Sequence, residues 1–522
     1  MSARFSVGSS QGAPNAGPAK LDRLAEVLIF LSASAVFAGM LIYARRSGVL
    51  CVDDAYITFR YAENLASGKG FVYNAGEHIL GTTTPFFCLL LAGLRMIGIK
   101  TPVGADLINL FSAIFSSILI FLLGREVKNR IAGLNASILF ICFPYFWLNL
   151  PSGMETMFAI FLALVLVWLD LKERPVLAGL VAGLLLLTRI DALALLAGVA
   201  LMRFFQNRRQ TIIIVSVCLL TLLPWLIFSE MYFGGIIPQS LLAKKLIHAY
   251  RAKIVFQRYT YWFLGLRDAG TGWQVLLPAL IGFSFFAGLG VVQAFRKERW
   301  ALIFFLWIVF FVVGMTAGQV TPFPWYRIPM LSGYLILTGL GIQWLSQIVF
   351  SKKSNFALAL NYFLVIILSV WFMPESHPTK FSRVTNKERV NLEMVKLIKS
   401  EAKNGDKVLA GEVGIVGYEL MAQYIIDSSG LVSERVYELR KEDKLNQLKI
   451  SREYKWDWWG TMDWVKHIIA EYNPEFIISE LRYLHLKELI YDPEFERDYK
   501  PIGMDNSTPN IIVVFQKKKM IR

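Results

Sequence analysis

The chain has 522 residues, 55% of them hydrophobic and only 18% charged, with a formal net charge of +15 and a mean hydropathy of +0.48. A soluble chain carries about 25% charged residues, so a string of water-soluble domains is excluded, as are disorder, a coiled coil and a disulfide-rich secreted scaffold. Such a charge suits nucleic acid or a membrane, and its distribution along the chain decides between them.

Residues 1–23 are polar and small and read as a disordered cytoplasmic tail. An apolar run over residues 24–43 follows Lys20 and Arg23. Its length, and the repeated apolar runs downstream, favour a retained signal anchor over a cleaved leader. Ten further runs fall near residues 103–124, 131–148, 156–171, 175–190, 191–206, 210–230, 274–294, 300–317, 329–350 and 355–373. Several are short of the about 20 residues that a span needs. Basic clusters at Arg125/Lys128/Arg130, Lys172/Arg174, Arg203/Arg208/Arg209, Arg296/Lys297/Arg299 and Lys352/Lys353 occupy alternate loops. The positive-inside rule then gives a multi-pass protein of about eleven spans in the cytoplasmic membrane, with the N-terminus inside and the C-terminus outside. Positive charge is thereby explained by topology, and nucleic acid is excluded as a partner.

This orientation leaves three larger pieces outside: residues 45–100, the loop from Tyr232 to Trp273, and everything after about Pro374. The last becomes densely charged. It carries a helical pattern from Asn386 to Ala402, stopped at Asn404-Gly405-Asp406, then strand-like runs at Val408-Leu-Ala, Tyr424-Ile-Ile, Glu475-Phe-Ile-Ile and Ile511-Ile-Val-Val-Phe. The expected fold is a polytopic α-helical membrane domain over residues 24–373, whose outer loop 45–100 carries amphipathic interfacial helices, followed by a soluble α/β domain over 374–522. Of four cysteines, Cys51 and Cys88 share the outer side; their pairing stays open, with free thiols favoured.

Polar information is densest just after the first span, at Asp53-Asp54. Ile57, Tyr61 and Leu65 recur every fourth residue, which predicts a helix on the outer membrane surface, ended by Gly68. Asp54 is either its N-cap or, with Asp53, part of a carboxylate pair that accepts a proton from an attacking hydroxyl. Ser67-Gly-Lys-Gly lacks the spacing of a phosphate loop. Glu155 either complements the dipole of the helix it precedes or faces the same cavity as the aspartates. Arg189 and Asp191 are expected chiefly to neutralise each other. Lys244, after Pro238-Gln239-Ser240, and Arg327, after Tyr326, are isolated outer cations, suited to a phosphate leaving group or to lipid headgroups. The five histidines are scattered, so a zinc site is not expected.

Asp53-Asp54-Ala-Tyr56-Ile-Thr-Phe-Arg60-Tyr61, Gly70-Phe-Val-Tyr-Asn74-Ala-Gly76-Glu77 and Gly81-Thr-Thr-Thr-Pro85 resemble bacterial GT-C glycosyltransferases, and more narrowly the branch of the mycobacterial terminal arabinofuranosyltransferases. Ser152-Gly-Met-Glu155-Thr156, Thr188-Arg189-Ile-Asp191, Pro238-Gln-Ser-Leu-Leu-Ala-Lys244, Gly411-Glu-Val-Gly414-Ile-Val-Gly417-Tyr418 and Ile426-Asp427-Ser-Ser-Gly430-Leu431 fit the same pattern. The resemblance implies transfer of a sugar from a polyprenyl-phosphate donor to an acceptor hydroxyl of a cell-envelope glycan, lipid or protein, on the outer face of the membrane. An acid of the first outer loop, here Asp53 or Asp54, would be the base. In the resulting scheme Lys244 and Arg327 hold the departing phosphate and Glu155 orients a sugar hydroxyl. Tyr56, Arg60, Glu77, Arg189, Asp191, Gln239 and Tyr326 complete the expected substrate site. Asp-Asp-Ala stands where a metal-binding Asp-x-Asp would be sought, so a divalent metal is possible but not indicated. The alternative is a lipid-linked sugar flippase or transporter, which would place its ionisable groups at mid-membrane.

Overall fold

The computed structural model describes residues 16–247, 251–263, 273–320, 323–350, 355–371, 386–451, 462–481, 484–507 and 511–518. Helix α1 (Ala16–Arg46) is followed by α2 (Asp53–Ala66), α3 (Pro85–Met96), α4 (Thr101–Glu126), α5 (Arg130–Cys142) and α6 (Pro144–Asn149). Then come α7 (Thr156–Leu171), α8 (Pro175–Thr188), α9 (Leu193–Gln206), α10 (Arg208–Phe233), α11 (Gln239–Ile247) and α12 (Ala252–Phe263). Helices α13 (Trp273–Arg296), α14 (Leu302–Ala317), α15 (Pro324–Val349) and α16 (Asn355–Trp371) complete the helical bundle. Every apolar run of the sequence is helical. Among the described residues, five helices are long and apolar enough to cross a membrane, and α5 with residues 144–152 counts as a sixth, bent by 51° where Pro144 interrupts it. Helices α3, α7, α8 and α16 are apolar but shorter. The chain is a multi-pass membrane protein.

Three expectations change. The predicted tail 1–23 lies partly outside the described residues, and the chain is already helical from Ala16. Asp22 and Glu26, on the first turns of α1, pair with Arg130 (2.9 Å) and Arg125, so the polar start of the helix is held. The segment from Tyr232, expected as an outer loop, carries α11 and α12. Finally, α2 is buried on nearly every side instead of lying half-exposed on a membrane. Its first residue is Asp53, and Val52 is the N-cap, so Asp54 is not. Gly68 follows its end at φ +77°, where a left-handed residue closes the helix.

What buries α2 is the C-terminal part. Strands β1 (Lys407–Ala410), β2 (Tyr424–Asp427), β3 (Phe476–Glu480), β4 (Tyr499–Asp505) and β5 (Ile512–Lys517) form one mixed sheet in the order β2-β1-β3-β5-β4. β1 runs parallel to β2 and β3, and β5 antiparallel to β3 and β4. Side chains alternate between its faces. Leu409, Ile426, Ile477 and Val513 pack with Trp464, Val465 and Ile468 of the helix Met462–Tyr472. Val408, Ile425, Ile478 and Val514 share one core with Val390 and Val395 of the helix Asn386–Glu401 and with Tyr56, Phe59 and Tyr73 of the first outer segment. The C-terminal part and the segment that follows α1 therefore fold as one packed unit. Edge strand β4 gave no sequence signal, because Pro501 and flanking charges replace the apolar run, as is usual at sheet edges.

Candidate active site

The largest functional features converge on a cavity of about 500 Å³, a volume suited to a small-molecule headgroup. One wall is α2, which presents Asp54, Ile57 and Thr58 at helical spacing, with Thr82, Thr83 and Thr84 beside them. The hydroxyls of Thr58, Thr82 and Thr84 bond one another at 3.1–3.4 Å and are buried. A second wall is built where short helices meet. Glu155 precedes α7, while Arg189 and Asp191 join α8 to α9. Arg189 donates to Glu155 Oε1 (2.8 Å) and, bidentately, to Asp191 (3.0 and 2.6 Å), and its guanidinium lies 5.5 Å from the Tyr326 ring.

The third wall is α11, bearing Ser240 and Lys244, with Trp325 and Tyr326 at the start of α15. Lys244 Nζ lies 2.8 Å from Asp54 Oδ2 and 5.4 Å from the Phe323 ring. Burial alone would lower its ammonium pKa, but Asp54 beside it outweighs that and holds the pKa above its ordinary value. Helix α11 is itself held in place. The Gln239 N–H donates to the Leu80 carbonyl (2.7 Å), its side chain reaches the Gly430 carbonyl (3.4 Å), and Lys444 of the soluble part bonds the Leu246 carbonyl (2.6 Å). The roof is Leu431. The turn that carries it is pinned by the buried Asp427, which accepts from the N–H groups of Ser429 (2.7 Å) and Val432 (2.8 Å). The lining also includes an apolar set, Leu193, Ala194 and Ala197 of α9 with Phe310, Phe311 and Gly314 of α14.

Of the site residues expected from sequence, Asp54, Glu155, Arg189, Asp191, Lys244 and Tyr326 line this cavity. The expected Arg189–Asp191 neutralisation is present. Lys244 is not isolated as expected, because α11 folds back across α2 and pairs it with Asp54.

The remaining six do not line the cavity. Asp53 points the other way and accepts from the N–H groups of Gly414 (2.9 Å) and Ile415 (2.9 Å) in the soluble part. Burial, only partly offset by these donors and by Lys387, pushes its carboxyl up to about 6. Tyr56 is packed between Phe59 and Tyr418. Arg60, 2% exposed, donates to the carbonyls of Tyr73 (2.8 Å), Leu420 (3.0 Å), Gln423 (3.0 Å) and Gly417. Burial pushes its guanidinium below its ordinary value, because these partners are carbonyls and not carboxylates. Glu77 accepts from the Tyr424 hydroxyl (2.5 Å), and its neighbour Asn74 completes both backbone hydrogen bonds of Ile425 on the sheet edge. Gln239 braces α11, as described. Arg327 is buried within α15, next in the chain to Tyr326.

The motif Gly411–Tyr418 is the counterpart of this seat. A Cβ on Gly414 would stand 1.8 Å from the Asp53 carbonyl oxygen, and one on Gly417 1.8 Å from the Tyr73 hydroxyl. Residues missed as site candidates are Thr58, Thr82, Thr83, Thr84, Ser240, Trp325 and Leu431. The threonine run was visible in sequence, whereas Ser240, Trp325 and Leu431 carry no local signal. Among the described residues no group of three or more His, Cys, Asp or Glu is placed to hold a metal ion.

Comparison with known proteins gives the architecture a precedent. Residues 381–515 match a family described as a domain of unknown function (DUF8728). No curated protein matches the sequence. Among solved structures, ArnT from Cupriavidus metallidurans bound to undecaprenyl phosphate is similar, at TM-score 0.55 and 12% identity, over 96% of this chain and 98% of that one. The Archaeoglobus fulgidus oligosaccharyltransferase in the apo form has TM-score 0.58 and 12% identity over 91% of this chain and 73% of its own. The same enzyme tethered to an acceptor peptide containing the NVT sequon has TM-score 0.56 and 12% identity, over 95% and 74%. The chain shares the fold of these proteins, a GT-C polytopic membrane domain with a soluble C-terminal domain.

Proposed function

We propose that the protein is an integral-membrane glycosyltransferase that moves a sugar from a polyprenyl-phosphate carrier to an acceptor hydroxyl on the outer face of the cytoplasmic membrane. The observation that carries this reading is the mixed lining of one cavity, charges and hydroxyls together with apolar residues of α9 and α14. A lipid-linked headgroup has the same mixed chemistry. ArnT, whose fold is shared, was crystallised with undecaprenyl phosphate, which supports the same donor class here. Cytoplasmic placement of the basic loops supports an N-terminus inside and the soluble domain outside.

In this reading the reaction is one in-line displacement. Asp54 takes the proton of the acceptor hydroxyl, whose oxygen bonds to the sugar's anomeric carbon as the carbon–phosphate oxygen bond breaks and polyprenyl phosphate departs with inversion. Lys244 neutralises the leaving phosphate. The threonine hydroxyls offer donors and acceptors to sugar hydroxyls, and the Glu155–Arg189–Asp191 cluster fixes that wall. Asp53 and Arg60 act on the seating of the soluble domain and not on substrate. The sugar transferred is a hexose or a pentose.

The test is a transfer assay of the purified protein in lipid nanodiscs, against a panel of polyprenyl-phosphate sugars and acceptor glycans, lipids and peptides. Transfer from one donor, abolished in Asp54→Asn, is expected. Translocation of lipid-sugar across vesicles without any transfer would replace this reading with the flippase alternative.

A further inference from the structure

Among the described residues, the ion pairs of the cavity leave an incoming anion one cation to recruit. Three carboxylates, Asp54, Glu155 and Asp191, line it against two cations, Lys244 and Arg189. Arg189 is committed. It makes three hydrogen bonds to two carboxylates, its side chain is 4% exposed, and releasing it would strand buried charge on both sides. Lys244 is held differently, by a single 2.8 Å contact to Asp54, with both side chains about a quarter exposed. A lysine is a compact charge on a flexible four-carbon stem and changes partners readily, which a bidentate arginine does not. While Lys244 is bonded to Asp54, one carboxylate oxygen is engaged and is not available to an acceptor proton.

We infer that the Lys244–Asp54 pair is a latch opened by the donor. The donor phosphate draws Lys244 off Asp54, and the same movement frees Asp54 as base. This rests on the carrier reading proposed above and adds an order of events to it: Lys244 keeps one oxygen of the carboxylate engaged until an anionic headgroup is in place. The pair also accounts for product release. After transfer Asp54 holds the acceptor proton and Lys244 holds the carrier phosphate. Loss of that proton restores the carboxylate, which competes for Lys244 and displaces the phosphate.

The consequence is reciprocal and has an unexpected sign, since two anions competing for one cation must each weaken the other's hold. Removing the charge of the base should tighten binding of the product lipid. The experiment uses the full chain in nanodiscs at fixed salt and measures the Kd for undecaprenyl phosphate in four proteins: wild type, Asp54→Asn, Lys244→Met and the double variant. Both substitutions keep side-chain volume. Asp54→Asn is expected to bind about tenfold tighter and Lys244→Met at least about tenfold weaker. In the Lys244→Met background the Asp54→Asn gain should vanish, because nothing is left to compete for. Equal or weaker binding by Asp54→Asn overturns the latch. A gain that persists without Lys244 also overturns it, leaving simple repulsion between Asp54 and phosphate. No binding in any of the four would instead remove the carrier reading, and the latch with it.

Discussion

On the side of α2 that meets the soluble domain, the charged groups are held by fixed partners. Asp53 receives two backbone N–H groups, Arg60 serves four carbonyls, Asn64 donates to the carbonyls of Val72 and Tyr73 (both 2.9 Å), and Gly414 leaves no room for a methyl group. On the side that meets the cavity, Asp54 and Thr58 border open volume, and Asp54 is satisfied by a single movable lysine. Adjacent residues of the same chemistry thus serve opposite ends, one fixed and one exchangeable. A carboxylate's role is set by what surrounds it: backbone donors that cannot leave make an anchor, and a flexible counter-ion beside a cavity makes a reagent.

The sharpest way to break this contrast is to neutralise the two aspartates separately. Asp54→Asn should lower kcat by about 10²–10⁴ with an unchanged melting temperature, the usual range for losing a general base. Asp53→Asn should keep measurable transfer while lowering stability by about 1–2 kcal/mol, since an amide can accept one of the two N–H groups but opposes the other. Equal kinetic losses would erase the distinction. Next in size, Arg60→Ala strands carbonyls of Gly417, Leu420 and Gln423 in a buried seat and should cost about 3 kcal/mol or more. Limited proteolysis of the soluble domain reads that loss. Gly414→Ala should cost about 2 kcal/mol, because its methyl group meets backbone. Gly417→Ala should cost less, because it meets only the tip of Tyr73.

The smallest effect expected is with pH. Burial raises the carboxyls of Asp53 to about 6, Glu388 to about 7 and Glu412 to about 8, despite the nearby Lys387. A carboxyl raised in the seated state binds its proton more tightly there than in the released chain. Seating is therefore favoured at low pH and weakens as pH rises through about 6 to 8. Protection of the amides of residues 412–419 from hydrogen exchange, relative to the intrinsic base-catalysed rate at each pH, should accordingly be greater at pH 6 than at pH 8.5. The reverse order would show that the ionised forms hold the seat.

The membrane part was legible because lipid tolerates little but long apolar helices, and four of the five strands because they are nearly continuous buried runs. Helices α11 and α12 were read as loop, although Val255 and Tyr259 of α12, four residues apart, are both buried. The cavity was half legible. Asp54, Glu155, Arg189 and Lys244 stand out as charges in apolar surroundings. Yet Asp53 and Asp54 cannot be told apart locally: neighbours on a helix point about 100° apart, and the partner that claims Asp53 lies more than 350 residues further on. The same distance problem turned Tyr56, Arg60 and Glu77 into apparent substrate ligands, when they are the floor on which the soluble domain stands.

In the proposed mechanism anchor and reagent are joined by one peptide unit, and that unit is planar and stiff. The soluble domain grips Asp53 through Gly414 and Ile415, and it also lays Leu431 over the cavity. A tilt of that domain would therefore be transmitted to Asp54 almost without loss, while shifting the roof in the same stroke. Displacements of about 1 Å at a reacting group can change rates 10²-fold. Load on the C-terminal domain would then act as a throttle on turnover at a distance from the chemistry.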